Sequence, residues 1–109
     1  NIRSITYTQD KVGIVTDNVE GGDPYRLRIY DREGSPVFEK TFNYQYTGFD
    51  IDGDLVLLYN DSSCKVYNMT GTEKYNGTFD FTVSKVSAGR FPGTLLVMGP
   101  QKMTEIKLQ

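Results

Sequence analysis

Residues 27–38 read Leu-Arg-Ile-Tyr-Asp-Arg-Glu-Gly-Ser-Pro-Val-Phe, and residues 64–75 read Cys-Lys-Val-Tyr-Asn-Met-Thr-Gly-Thr-Glu-Lys-Tyr. The two segments align at a fixed offset of 37 residues (71 − 34), with Tyr30 matching Tyr67 and Gly34 matching Gly71. A period of roughly 20 to 50 residues is typical of stacked arrays, in which one unit cannot bury its apolar face alone. The repeat therefore predicts similar units packed side by side.

Each copy of the repeat reads as four short strands separated by turns. The apolar strands Val12–Thr16 and Leu55–Tyr59 precede the two quoted segments, and Ser4–Thr8 and Thr47–Ile51 precede those strands. Leu55–Tyr59 is apolar at consecutive positions, which is expected of a strand that is covered on both faces by neighbours. The second unit is therefore predicted to lie between two others.

A third, shorter unit follows. Its strands are predicted at Val83–Ser87, Leu95–Met98 and Met103–Leu108, with Leu95 following Leu55 by 40 residues (95 − 55). No fourth strand follows in the sequence, so this unit lacks its outer strand. We predict one all-β domain over residues 1–109, with units at about 1–43, 44–82 and 83–109.

The predicted turns contain residues that turns require. Asp52-Gly53 fits a two-residue hairpin turn, which needs positive φ. The segments 31–34 and 68–71 begin with Asp or Asn and end with Gly, as type I turns do. Asn18–Pro24 lengthens one connection, and we interpret it as a solvated surface loop.

Composition limits the possible classes of protein. Twelve basic and fourteen acidic side chains give a net charge of −2, which provides no electrostatic basis for binding nucleic acid. No stretch approaches the roughly 18 apolar residues of a membrane span, so we expect no membrane insertion by this segment. The many β-branched and aromatic residues predict almost no helix.

Cys64 cannot form an internal disulfide, because it is the only cysteine, and we interpret it as a small packing residue.

The repeated pattern is apolar-x-apolar-Tyr-Asp/Asn-x-x-Gly, followed four residues after the Gly by Phe38 or Tyr75. This pattern resembles β-propeller blades of the quinoprotein-like and WD-repeat-like kinds. The resemblance implies about three four-stranded antiparallel blades around an axis, the last without its outer strand. The Trp and His of those families are absent here, so no quinone cofactor is expected. A β-sandwich of similar strand number is the alternative fold.

The chain is also similar to an uncharacterised family of membrane-anchored, propeller-like proteins of Gram-positive bacteria. That resemblance implies an extracytoplasmic location, with the anchor in a segment not present here. The chain starts at Asn1 rather than Met, and we expect it to be the C-terminal part of a larger propeller. Two terminal blade faces would then be uncovered, so we expect the isolated chain to self-associate.

Three alternating carboxylates, Asp50, Asp52 and Asp54, form the most metal-like motif, because Ca²⁺ takes six to eight oxygen ligands. The segment resembles the Asp-x-Asp-Gly-Asp-Gly-x-x-Asp loops of integrin-type propellers. Leu55 and Leu58 replace the later Gly and Asp of that motif. We therefore predict an ordinary hairpin turn and no metal site.

The remaining candidate sites each have a simple structural interpretation. The sequons at Asn60, Asn68 and Asn76 lie at or beside turns, where Asn, Ser and Thr are common. An aromatic cluster is predicted to pack between the first two units, with a binding rim as the alternative; it comprises Phe42, Tyr44, Tyr46 and Phe49. The possible nucleophile–base pairs are adjacent on strands and would point to opposite faces; they involve Ser63, Cys64, Lys65, Ser84, Lys85 and Ser87.

From these observations we predict no catalytic, cofactor-binding or metal-binding residues and no enzymatic activity. The expected function is an extracytoplasmic interaction or sensing module, with an unidentified protein or cell-wall ligand. Two alternatives remain open. The units could be non-catalytic blades of a hydrolase or lyase whose active site lies elsewhere, or they could form a calcium-bearing adhesion propeller.

Overall fold

A computed structural model describes all 109 residues. The chain forms eleven β-strands, joined by turns and loops, and no helix. The strands are β1 (Ile2–Tyr7), β2 (Lys11–Asp17), β3 (Tyr25–Asp31), β4 (Pro36–Phe42), β5 (Gly48–Asp52), β6 (Leu55–Tyr59), β7 (Ser63–Tyr67), β8 (Glu73–Thr78), β9 (Lys85–Ala88), β10 (Thr94–Met98) and β11 (Met103–Lys107). Within each sheet, every strand pairs antiparallel with its neighbour in sequence. The strands form three separate sheets, which we name blade 1 (β1–β4), blade 2 (β5–β8) and blade 3 (β9–β11).

Sheets of four, four and three strands confirm the predicted all-β repeat with a short last blade. A β-sandwich has two sheets that share a single core, whereas this chain has two distinct apolar cores, one on each side of blade 2. The sandwich alternative is therefore wrong.

The repeat is reproduced at atomic detail in the turns after β3 and β7. Asp31 Oδ1 accepts hydrogen bonds from the Glu33 and Ser35 amides at 3.0 and 2.9 Å. Asn68 Oδ1 accepts the equivalent bonds from the Thr70 and Thr72 amides at the same distances. In both turns the closing glycine has positive φ and donates to the carbonyl of the first residue, which is the predicted type I geometry.

Strand β6 is buried on both of its faces. Val56 and Leu58 belong to the core shared with blade 1, which includes Leu27 and Ile29. Leu55 and Leu57 belong to the core shared with blade 3, which includes Leu95 and Val97. Successive side chains of a strand point to opposite faces, so this one strand contributes to both cores. The prediction that the second unit lies between two others is confirmed.

The first strand of blade 3 begins two residues later than the sequence predicted. Val83 donates its amide to the carbonyl of Asp61 at 2.9 Å, and Ser84 donates to Met98 at 2.7 Å. Val83 is therefore tied to the loop of blade 2, and regular pairing starts only at Lys85. The apolar side chain of Val83 fits the pattern of a strand, but its backbone amide bonds to blade 2.

The packing of blade 1 on blade 2 can be tested with two equivalent glycines. A Cβ at Gly71 would lie 3.1 Å from Cδ1 of Phe38, whereas a Cβ at Gly34 would meet nothing within 4 Å. Both residues have φ near +80° to +85°, so Ala at either position carries the same backbone cost of about 1 kcal/mol or more. We expect Gly71→Ala to lower the free energy of unfolding by more than Gly34→Ala, as measured by urea denaturation. Equal losses would contradict the described contact between Phe38 and the turn of blade 2.

Candidate functional site

The first strands of the three blades lie next to one another, and two of the predicted acidic residues connect them. Asp50 Oδ1 accepts from Thr6 Oγ1 of blade 1 at 3.2 Å, and its Oδ2 lies 3.5 Å from Lys85 Nζ of blade 3. Asp52 Oδ2 accepts from the Ala88 amide at 2.8 Å. These carboxylates therefore hold blades together. They do not converge with Asp54, and no group of three or more metal-ligating side chains is formed.

Two of the three sequon asparagines stabilise turns. Asn60 donates from Nδ2 to the Gln45 carbonyl at 2.7 Å and accepts from the Ser62 amide at 3.0 Å. Asn68 caps the turn described above. Asn76 lies within β8 with an exposed side chain rather than in a turn.

The aromatic cluster packs between blades 1 and 2, as predicted. Phe42 is 2% exposed, and Tyr46 lies 6.0 Å from Phe42 and 6.4 Å from Phe49 between ring centroids. The Tyr46 hydroxyl bonds to Ser4 Oγ at 2.7 Å. Tyr25 completes the cluster at 5.3 Å from Phe42. Sequence reasoning missed Tyr25 because it lies 17 residues from Phe42 (42 − 25) and reaches it only through the pairing of β3 with β4.

Tyr44 packs against the same core, and its hydroxyl reaches β7. Its hydroxyl forms a 2.7 Å hydrogen bond with Ser63 Oγ. Burial raises the pKa of the Tyr44 phenol. The Ser63 hydroxyl also donates to Asn60 Oδ1 at 3.0 Å, so this serine is part of a structural hydrogen-bond network.

The other nucleophile–base candidates are also separated. Cys64 is fully buried, and burial raises the pKa of its thiol to about 12, which keeps it protonated at neutral pH. The neighbouring Lys65 points to the other face and lies 3.6 Å from Glu73. Lys85 pairs with Asp50. The interpretation of Cys64 as a packing residue is confirmed.

The largest cavity is a cleft between blades 2 and 3. It has a volume of about 540 Å³ and opens at the end of the blades that carries the turns after β3 and β7. Its chemically distinctive lining residues are Asp54, Asn68, Lys74, Arg90, Phe91 and Gln109. We name it the interblade cleft. The hairpin Arg90–Gly93, which lengthens blade 3 relative to blade 2, forms one wall, and this insertion was the available sequence signal.

The wall at Arg90 is held by a carboxylate. Arg90 donates from Nε and Nη2 to Glu105 Oε1 at 3.0 and 2.8 Å, and its amide donates to Oε2 at 2.8 Å. The Arg90 guanidinium lies 5.7 Å from the ring centroid of Phe91, which is 62% exposed. Asp54 and Lys74 form no ion pair. The cleft thus offers an exposed aromatic face together with a cation, Lys74, and an anion, Asp54, that form no ion pair.

Three stacked antiparallel sheets built from one repeat define the chain as a propeller-like repeat protein. The chain belongs to a family of unknown function, DUF5711, whose profile matches residues 1–108. No curated protein matches the chain.

Among solved structures, the crystal structure of HIRA(644-1017) is similar to this chain, with a TM-score of 0.66 and 12% sequence identity. The similarity covers 96% of this chain and 34% of that one. The chain therefore spans about a third of the length of its structural relative. At this identity the similarity concerns the fold, and it agrees with the predicted propeller-like blades. The described structure consists of strands and connections, so it contains no helix that could span a membrane.

Acid should weaken the contact between Glu105 and Arg90 that holds one wall of the interblade cleft. Hydrogen bonds from Arg90 and then from Thr94 hold the pKa of Glu105 below its ordinary value of 4.5. A carboxyl with a lowered folded-state pKa stabilises the fold above its unfolded pKa, and this stability is lost as the pH falls through the folded pKa. We expect the melting temperature to fall as the pH decreases below about 4.5, and to fall less steeply in Glu105→Gln.

The matched control is Glu33→Gln, because Glu33 forms no ion pair and lies in an exposed turn. Its acid profile should follow that of the unmodified chain. Parallel profiles for Glu105→Gln and the unmodified chain would contradict a stabilising role for the Arg90–Glu105 contact.

Proposed function

We propose that this chain is an interaction or sensing module that binds a protein or cell-wall ligand in the interblade cleft. The observation that carries the proposal is the chemistry of the cleft wall. Phe91 offers an exposed aromatic face, while Asp54 and Lys74 offer opposite charges within one cavity. Such a combination of one apolar contact and a few polar groups is typical of recognition sites.

The stacked sheets supply the rigidity that such a module needs. Loops placed on a rigid scaffold are ordered before binding, so little conformational entropy is lost when a ligand binds. Asp52 supports this role, because its bond to Ala88 fixes blade 3 against blade 2 next to the cleft. We propose that the module binds without making or breaking a covalent bond. The contacts of Ser63 and Lys85 support this, since Ser63 bonds to Tyr44 and Asn60 rather than to a general base, and Lys85 pairs with Asp50.

The location of the module is part of the proposal. We propose that it belongs to a larger membrane-anchored protein and faces away from the cytoplasm. The support is the resemblance of the repeats to membrane-anchored, propeller-like proteins of Gram-positive bacteria. Digestion of the chain by protease added to intact cells would agree with this location, and protection of the chain until the cells are lysed would contradict it.

The binding site can be tested by photo-crosslinking in intact cells. A benzophenone amino acid at position 91 should form a crosslink to a ligand, whereas the same group at position 19 should not. Val19 is the matched control because it is 89% exposed and lies in the loop between β2 and β3 of blade 1. Once a ligand is identified, Phe91→Ala should weaken its binding about tenfold, because exposed aromatic anchors often contribute 1–2 kcal/mol.

Equal crosslinking at positions 91 and 19, or unchanged affinity in Phe91→Ala, would contradict the proposed site. Because Phe91 is exposed, the substitution should leave the melting temperature within about 1–2 °C of the unmodified value. This control separates a lost contact from a lost fold.

We further propose that the isolated chain self-associates through its terminal blade faces. Ser4 and Thr6 face blade 2, so the alternating residues Ile5 and Tyr7 point away from it, and they are 57% and 76% exposed. Burial of these side chains against a second copy would be favourable. Sedimentation equilibrium at tens of micromolar should give a mass above the 12.3 kDa of one chain. A mass equal to one chain would contradict self-association.

A further inference from the structure

One side chain of the interblade cleft has a hydrogen-bonding direction that is fixed by the turn it caps. Asn68 lines the cleft, and its Oδ1 accepts from the Thr70 and Thr72 amides at 3.0 and 2.9 Å. A backbone N–H can only donate, so the atom that these amides contact is the oxygen of the Asn68 side chain. The third bond of the side chain, from the Thr70 hydroxyl, is also accepted by Oδ1. Both N–H groups of Nδ2 are therefore available to a ligand.

Blade 1 has a carboxylate at the equivalent position. Asp31 Oδ1 caps its turn with the same two bonds, from the Glu33 and Ser35 amides. The turn accepts either residue, because Asp and Asn supply the same oxygen. What differs is the second atom, which is a donor in Asn68 and a negatively charged acceptor in Asp31. The turn alone does not require Asn, and the Asn of blade 2 gives the cleft an uncharged donor.

Lys74 adds a cation to the cleft. It lies in β8, is half-buried and forms no ion pair. The adjacent acid, Glu73, is instead paired with Lys65 at 3.6 Å. An ammonium group together with the free N–H groups of Asn68 favours a carboxylate, because a carboxylate has only acceptors and forms strong bonds with charged donors.

The cleft also contains one unpaired anion. Asp54 is exposed in the turn between β5 and β6 and forms no ion pair. The charge of Arg90 is balanced by Glu105, which accepts from its Nε and Nη2 at 3.0 and 2.8 Å. Asp54 would repel a ligand with only negative charges and attract an ammonium group. The cleft therefore suits a ligand that carries one charge of each sign.

We propose that the ligand of the interblade cleft is a short zwitterionic peptide. Lys74 and Asn68 bind its carboxylate, Asp54 binds its ammonium group, and the exposed ring of Phe91 packs against an apolar side chain. This inference rests on the proposed function, which places a ligand in the cleft, and it specifies the chemistry of that ligand. The cleft volume of about 540 Å³ is typical of sites for small ligands, which suits a peptide of a few residues.

The charges favour a peptide over a neutral glycan. A sugar could stack on Phe91, but it would cover Asp54 and Lys74 without giving either a partner of opposite charge. Removing an unpaired charge from water is costly, so a neutral ligand would bind less well than a zwitterion of similar size.

The probe for this proposal is the dipeptide alanyl-phenylalanine in four forms, titrated into the isotope-labelled chain and followed by NMR. The forms are the free dipeptide, its N-acetyl derivative, its C-terminal amide and the doubly blocked compound. We expect each single block to weaken binding about tenfold, because each removes one charge-assisted contact. Equal affinities for the four forms, or no binding of the free dipeptide, would overturn the proposal.

The matched variants are Asn68→Asp and Asp31→Asn, which exchange the two residues that cap equivalent turns. Asn68→Asp keeps the capping oxygen and replaces the Nδ2 donor with a negative oxygen. It should weaken the free dipeptide about tenfold and should not weaken the C-terminal amide, which has no carboxylate to repel. Asp31→Asn lies outside the cleft and should leave both affinities unchanged. Equal weakening of the free and amidated forms by Asn68→Asp would contradict the role of Nδ2.

Two further variants assign the charges. Lys74→Gln should weaken only the forms with a free carboxylate, and Asp54→Asn only the forms with a free amino group. Because both side chains are unpaired, the melting temperature should stay within about 1–2 °C of the unmodified value. The opposite pattern, or equal effects on all four forms, would contradict the proposed orientation.

The crosslink at position 91 tests occupancy of the cleft separately from its chemistry. A crosslink without dipeptide binding would retain the cleft as a site and overturn only the peptide inference. Tighter binding of the neutral sugar tri-N-acetylchitotriose than of the free dipeptide would assign the cleft to a glycan and also overturn it. Dipeptide binding with the expected variant pattern, but no crosslink in cells, would support the peptide chemistry and contradict the proposed function.

Discussion

The burial of β6 on both of its faces is the constraint on which the rest of the structure depends. Leu57 and Leu58 are adjacent in sequence and fully buried, yet they lie in different cores. Full burial of one such side chain contributes about 2 kcal/mol, so neither face of blade 2 could be left in water without a large loss of stability. Blades 1 and 3 are needed to cover it, which explains why the chain is an array rather than three independent sheets.

Polar contacts then fix the positions of the blades relative to one another. Apolar packing is not directional, and it would allow the sheets to slide over one another. Asp50 contacts both Thr6 of blade 1 and Lys85 of blade 3, so a single side chain relates all three blades near their first strands. Asp50 and Asp52, two of the three acidic residues that looked most like metal ligands in the sequence, are therefore part of the architecture, and the cleft depends on the positions that they set.

The repeat made the fold predictable, because an offset of 37 residues brings the same turn chemistry to Asp31 and Asn68 and requires the same four-strand unit twice. The consecutive apolar residues of Leu55–Tyr59 also identified β6 as a central strand. The third blade was less predictable, since the Val83 backbone bonds to blade 2 although its side chain fits a strand pattern. The interblade cleft could not be predicted, because Asp54, Lys74 and Phe91 meet only when two sheets are stacked.

The interblade cleft presents side chains, so its selectivity would come from charge and from stacking on Phe91. The cleft follows from one irregularity of the array, which is that the β9–β10 hairpin of blade 3 is longer than the β5–β6 hairpin of blade 2.

The measurement that tests the stacked array most directly is a set of methyl–methyl nuclear Overhauser effects from β6. The account predicts effects from Val56 and Leu58 to the core of Leu27 and Ile29, and from Leu55 and Leu57 to the core of Leu95 and Val97. Effects from both pairs of β6 residues to a single core would contradict the face-to-face stacking of three blades around a shared central sheet.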